Sequence, residues 1–190
     1  MTSSFLDAIV FVLDVFVGIY ILLLLLRLLV PFMGASYQNP LMQGILNATS
    51  PIVVPVRRLI PAIGRIDTAT LVVAFGFQYA LQFAKSALYG QFPGIALLLV
   101  TALFALANQV VRLFMFAIII RVVLSWISPG SYNPATALIS GLTDPILRPI
   151  QRMTPNLGGF DISPIFAIVG LGVISILLGG LQASVLAMLI

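Results

Sequence analysis

Long uninterrupted apolar runs alternate with two polar, proline-rich stretches along this chain. The apolar runs fall at roughly 5–33, 68–90, 95–127 and 162–189. Each exceeds the ~20 residues that carry a helix across ~30 Å of hydrocarbon. The pattern therefore predicts an all-α membrane protein with four transmembrane helices. The first and third runs are long enough to tilt or protrude. The apolar stretch 91–127, which contains the third run, is broken at Pro93-Gly94 and at Asn108-Gln109-Val110-Val111-Arg112. Its parts 95–107 and 113–127 are each too short to cross alone, so one long helix is expected there.

The two polar stretches, 34–67 and 128–161, superpose without a gap after a shift of 94 positions. Arg27 falls on Arg121, Asn39-Pro40 on Asn133-Pro134, Pro51 on Pro145 and Pro55 on Pro149. Arg58 then falls on Arg152, Pro61 on Pro155, Gly64 on Gly158 and Asp67 on Asp161. Between 27 and 67, twelve of forty-one positions are identical. The matches concentrate in Pro, Gly, Arg, Asn and Asp, so they mark an internal duplication. The units are 1–94 and 95–190. Each holds two spans, so both enter the membrane in the same direction, as tandem parallel repeats about a pseudo-twofold axis along the membrane normal.

Inside each polar stretch, Asn39-Pro40, Ser50-Pro51, Asn133-Pro134 and Asp144-Pro145 pair an N-cap residue with proline at the first helical position. Two short helices per stretch are expected, forming an amphipathic hairpin. Pro55 and Pro149 shorten or kink the second helix of each. Ile52, Val56, Leu59 and Ile60 share one face while Arg57 and Arg58 leave it, as suits a membrane interface. Asp67 and Asp161 stand where spans two and four begin, as N-caps at the positive end of the helix dipole.

Composition agrees with a membrane location. Apolar residues make up 61% and charged residues 7%, against about 45–50% and about 25% in soluble domains. There are eight arginines, one lysine (Lys85) and five aspartates, with no Glu, His or Cys. Thiol chemistry, His-based acid–base catalysis, His-ligated haem and Cys/His zinc sites have no residues to use. No cofactor and no metal site are expected, and the chain is not read as an enzyme. The net charge of +4 suits anionic headgroups better than nucleic acid. The N-terminus lacks a basic region ahead of its apolar run, so that run is expected to stay as a span. Arg57, Arg58, Arg65, Arg148 and Arg152 lie in the polar stretches. The positive-inside rule puts both stretches in the cytoplasm and both termini outside the inner (plasma) membrane.

The arrangement resembles the YggT family (YlmG in other lineages) of small multi-pass membrane proteins. The resemblance rests on Arg27 followed by Asn39-Pro40, on the segment from Pro51 to Asp67, on its echo from Pro145 to Asp161, and on Ser125-Trp126. It covers essentially the whole chain. It implies links to osmotic tolerance, to potassium uptake and to bacterial division gene clusters. In chloroplast relatives it implies nucleoid organisation and haem attachment to cytochrome b6. Relatives with one unit imply that the unit can act as half of a dimer. The resemblance carries no catalytic or binding residues over to this chain.

Three constellations are candidates for function. Arg58/Arg152 with Asp67/Asp161 form a repeated charge set, either a polar site at the symmetry axis or phosphate contacts plus helix caps. Arg27 and Arg121 lie about six residues inside their spans, and either snorkel to the interface or face the bundle. Asp14, Asn108, Gln109 and Arg112 are intramembrane polar residues; Asp14 is expected to pair with Arg112 across spans one and three, for structure or along an ion pathway, the alternative being that Arg112 reaches the outer headgroups. Small-residue ladders (Gly76, Ala80, Ala84 and Ser175, Gly179, Ala183) suit close helix packing or a dimer face. Two functions follow as expectations. The first is a scaffold or assembly factor whose repeated basic loops dock anionic lipid and a protein partner or second copy. The second is an ion (potassium) channel or transporter component.

Overall fold

The computed structural model describes residues 2–31, 38–64, 66–127, 133–154 and 161–189. Its helices are α1 (Thr2–Leu29), α2 (Pro40–Leu59), α3 (Thr68–Leu88), α4 (Ile95–Ile127), α5 (Pro134–Met153) and α6 (Ser163–Ala187). Four of them, α1, α3, α4 and α6, are long and apolar enough to cross a membrane. The stretch from 95 to 127 is one helix, as its length requires.

Local chemistry sets the ends. The Asn39 side chain accepts from the Leu41 N–H, with Pro40 at the first position of α2. Asn133 and Thr136 form a reciprocal capping box ahead of α5, which satisfies two otherwise orphaned donors. Asp67 caps α3 through the Thr70 N–H. At the far end of α3 the Gly90 N–H donates to Ala87 and the Gln91 N–H to Ser86. Gly90 takes φ +68°, the left-handed turn that closes a helix this way.

Packing runs in a row: α1 lies on α3, α3 on α4, and α4 on α6. Helix α2 lies across one end of α1 and α3, and α5 across the same end of α4 and α6. The two cross-helices touch each other, and Asn39 Nδ2 donates to the Pro134 carbonyl at 2.7 Å. Ile21, Leu24 and Leu25 of α1, Met42 and Val53 of α2, Ala69 and Ala74 of α3, Ile118 of α4, and Leu142 and Leu147 of α5 are buried in one continuous core. Phe11, Phe16, Phe116 and Ile176 point outward. In a membrane that surface faces lipid, which is as apolar as the side chains themselves.

Several expectations change here. Each polar stretch forms one 20-residue helix and not two short ones, although Pro51 and Pro55 lie inside α2 and Pro145 and Pro149 inside α5. All four prolines are on the exposed side of their helices. The carbonyls they leave unpaired lie on that same side, where headgroups or water reach them. On the opposite side Met42, Ile45, Thr49 and Val53 are buried, as are Leu138, Leu142, Thr143 and Leu147. Their packing offsets the ~3 kcal/mol that an interior proline costs. Ile52 and Leu59, on the face expected at the membrane interface, are exposed. Gly76, Ala80, Gly179 and Ala183 face outward, while Ala84 and Ser175 are partly buried and Ser175 meets Asn108 of α4. A closed twofold would set α6 against α1 as α3 is set against α4; the extensive contacts include α3 with α4 but not α1 with α6.

With two crossings per unit, single cysteines at positions 58 and 152 should react with an impermeant thiol reagent from the same face of sealed vesicles. A cysteine at position 91 should react from the other face. Labelling of 58 and 152 from opposite faces would contradict the parallel arrangement.

Candidate functional site

Arg27 sits in the last turn of α1 and is 4% exposed. A guanidinium cannot shed its charge, so burial obliges it to find acceptors. Its Nη1 donates to Thr49 Oγ1 at 2.8 Å and to Ser50 Oγ at 3.1 Å, both on α2. Its Nε lies 3.8 Å from Asp67 Oδ2, at the start of α3. One side chain thus ties three helices together. Asp67 also accepts from Arg57 of α2 and, at 2.6 Å, from the Thr70 hydroxyl. The Thr49 hydroxyl passes its own proton to the Ile45 carbonyl at 2.7 Å, which fixes its lone pairs toward Arg27.

The second unit repeats the latch 94 positions later. Arg121 Nη1 donates to Thr143 Oγ1 at 2.8 Å, and Thr143 donates to the Ile139 carbonyl at 2.7 Å. The charges are redistributed. Where the first unit has Ser50, the second has Asp144, which accepts from Arg121 at 2.5 Å and from Arg148 at 2.7 Å. Where the first has Arg57, the second has Gln151, which donates to Asp161 at 2.7 Å. The counter-charge to the span arginine has moved from the connector before the span to the cross-helix.

These contacts revise the sequence expectations. Arg27 turns into the bundle, and Arg121 turns to Thr143 and Asp144 of α5 while staying partly exposed. Arg58 and Arg152 do not pair with the aspartates; both are exposed, and the partners are Arg57 and Gln151. Asp161 is not the N-cap of α6, because Ile162 holds that position; Asp161 instead accepts from the Ser163 N–H at 2.9 Å. Gly64 takes φ +60° in the turn between Ile63 and Ile66, which glycine adopts without a Cβ penalty. Pro155 and Gly158 lie outside the described residues. Thr49 and Thr143 were not singled out from the sequence, yet both stand 22 residues after the span arginine and are identical at the same shift. Threonine in a semi-apolar helix carries little signal until its partner is known.

Burial pushes the Asp67 carboxyl up, but hydrogen bonds from Thr70 and Arg57 outweigh it and hold the group below the ordinary carboxylate range. Asp144 behaves likewise: burial is outweighed by the Arg121 bond and charge, then by Arg148. For Asp161, burial is outweighed by bonds from Ser163 and Gln151 and by the Arg121 charge.

The intramembrane polar residues divide into two groups. Asp14 does not pair with Arg112; Lys85 Nζ, near the end of α3, donates to both its oxygens at 2.9 and 3.0 Å. Lysine reaches there because α1 packs on α3, while α1 and α4 meet only slightly. Gln109 Nε2 donates to the Gly18 carbonyl at 2.9 Å and makes that slight meeting. Asn108 turns the other way, accepting from Ser175 of α6 at 2.8 Å. Asp14, Lys85, Gln109 and Arg112 line a cavity of about 910 Å³ between α1, α3 and α4, with Ile139 and Leu142 of α5 at one end. Among the described residues no three acidic side chains come together to hold a metal.

The family model described as CCB3/YggT matches residues 6–88 and again 100–182. The second match is the first shifted by 94, the spacing of the internal repeat. An uncharacterized protein of Pseudomonas aeruginosa is 40% identical over 172 residues, covering 90% of this chain and 87% of the relative. The uncharacterized protein YggT of Escherichia coli K12 is 33% identical over 170 residues, covering 89% and 88%. An uncharacterized protein of Haemophilus influenzae is 31% identical over 143 residues, covering 75% and 76%. No solved structure matches the chain.

Thr49→Val removes an acceptor from a buried guanidinium and should cost about 1–3 kcal/mol, seen as a lowered melting temperature in detergent. Thr143→Val should cost less, because Arg121 is more exposed and keeps its Asp144 partner. Equal losses would contradict the division of charge between the units. A second outcome concerns pH. Three carboxyls held below their unfolded value of ~3.9 contribute stability that is present above it and lost as pH falls through the folded values. The melting temperature should be flat from about pH 7 to 5 and fall below about pH 4. Replacing Asp67, Asp144 and Asp161 together by Asn should lower it at pH 7 and flatten the acid limb.

Proposed function

The chain belongs to the CCB3/YggT family, and from that premise we propose that it is an integral membrane scaffold and not a catalyst. It docks anionic lipid and a protein partner or second copy on its two cross-helices. The observation that carries this reading is that α2 and α5 lie side by side, each clamped to its spans by an arginine, Arg27 buried and Arg121 half-buried. Their equivalent residues Arg58 and Arg152 remain exposed, with Arg57 and Arg148 close by. A docking surface gains when its charged groups are held in place before the partner arrives. Arginine suits it because its planar fork matches phosphate and carboxylate. In this reading the basic helices face the cytoplasm at the inner membrane, where anionic lipid draws them to the surface.

A second reading, ion transport, is favoured by the cavity. Its charged lining is Lys85 and Arg112 against the single carboxylate Asp14. A surplus of positive charge suits an anion and repels potassium, so this reading ranks below the first. Two measurements on the full chain separate them. Potassium flux into proteoliposomes should equal that of protein-free vesicles, with Arg112→Ala no different. A photo-crosslinking side chain at 58 or 152 should trap a discrete protein product in cells, and one at position 116 should trap lipid alone. Flux that Arg112→Ala abolishes, with no protein product at 58 or 152, would overturn the scaffold reading.

A further inference from the structure

Arg112 lies near the middle of the 33-residue helix α4, with more than ~20 Å of helix on either side of it. It lines the cavity, and among the described residues it has no hydrogen bond and no ion pair. Lys85 is occupied by Asp14, the one carboxylate in the cavity wall. Arg112 is exposed on the outer side of the helices, about one turn from the level of Asp14 and Lys85, and an uncompensated charge within a span costs several kcal/mol. Nothing in the surrounding helices compensates it.

The rest of the lining identifies what would. Gln78 is 5% exposed, lines the same cavity, and leaves its Oε1 without a donor. Buried amides without partners are uncommon, because each costs about a hydrogen bond's desolvation. Gln82 adds a further amide on the same wall. Toward the α2/α5 end the wall turns apolar, through Leu22, Leu26, Leu113 and Ile120, and Ile139 and Leu142 close it. Some walls are also outer surface: Ile19 is 52% and Phe116 63% exposed on the lipid-facing side. The cavity therefore opens sideways into the bilayer. Its volume of about 910 Å³ sits at the upper end of the ~300–1,000 Å³ of small-ligand sites.

We propose that this cavity holds one anionic phospholipid. Its phosphate lies on Arg112 within reach of Lys85, and a headgroup hydroxyl supplies the donor that Gln78 lacks. One acyl chain runs along the apolar wall toward Ile139 and Leu142, and the other stays in the bilayer through the lateral opening. The phosphate and Asp14 compete for Lys85, so the carboxylate moderates the affinity. This site is separate from the exposed arginines of α2 and α5 and does not depend on the scaffold reading.

The test is native mass spectrometry of the delipidated full chain, titrated with phosphatidylglycerol, phosphatidylcholine or inorganic phosphate. One phosphatidylglycerol per chain should bind at least about tenfold more tightly than phosphatidylcholine. Arg112→Gln should remove that preference and Arg112→Lys should largely keep it. Asp14→Asn should tighten binding by freeing Lys85. Arg58→Gln, outside the cavity, should leave the stoichiometric lipid in place. Thermal melts of the same samples establish that each variant is folded. Equal binding of the two lipids, or a phosphatidylglycerol preference unchanged in folded Arg112→Gln, would overturn the proposal. So would inorganic phosphate binding at Arg112 that excludes the lipid.

Discussion

A guanidinium cannot lose its charge, so a buried arginine near a helix end must be met by acceptors from elsewhere in the chain. Arg27 imposes this condition in the first half, and the half-buried Arg121 imposes it less strictly in the second. The acceptors come from a threonine on the cross-helix, from its neighbour, and in the first half from the carboxylate that starts the next span. Helix α2 cannot lift away from α1 without stranding Arg27. The placement of α2 and α5 against the spans, and with it the position of every exposed arginine they carry, follows from satisfying one buried and one half-buried cation.

The same condition explains how α2 and α5 tolerate two interior prolines each. A helix in isolation would break there. Here the packed side is anchored by Thr49 or Thr143 and their arginines, and the side weakened by proline faces outward. Tertiary contact decides the local conformation, as it commonly does where propensity and packing disagree. The proline spacing, a break signal when read locally, becomes a marker of the outward side once the anchored side is known.

Much of the fold was legible because membrane spans announce themselves by length and apolarity, and a duplication announces itself by identical residues at a fixed shift. The four spans, the single long α4 and the caps at Asn39, Asp67 and Asn133 were readable for those reasons. Side-chain partnerships were not. Asp14 chose Lys85 over Arg112 because α1 packs chiefly on α3, a fact of tertiary geometry that a linear repeat does not encode. Arg57 displaced Arg58 beside Asp67 for a similar reason: adjacent positions on a helix point about 100° apart, and the repeat alone favoured the one that recurs. Thr49 and Thr143 stood in plain view among the identities, but hydroxyls become conspicuous only beside the cations they serve.

Ser50 and Asp144 occupy equivalent places in the two latches, as do Arg57 and Gln151, and the differences compensate within each half. Two separate copies of one unit would be bound to carry the same residue at both places, so any change would strike both latches together. Joining the units in one polypeptide removes that constraint. Each half can drift through its own pair of matched exchanges while the other holds its fastening intact, and the two ends of the platform become free to specialise.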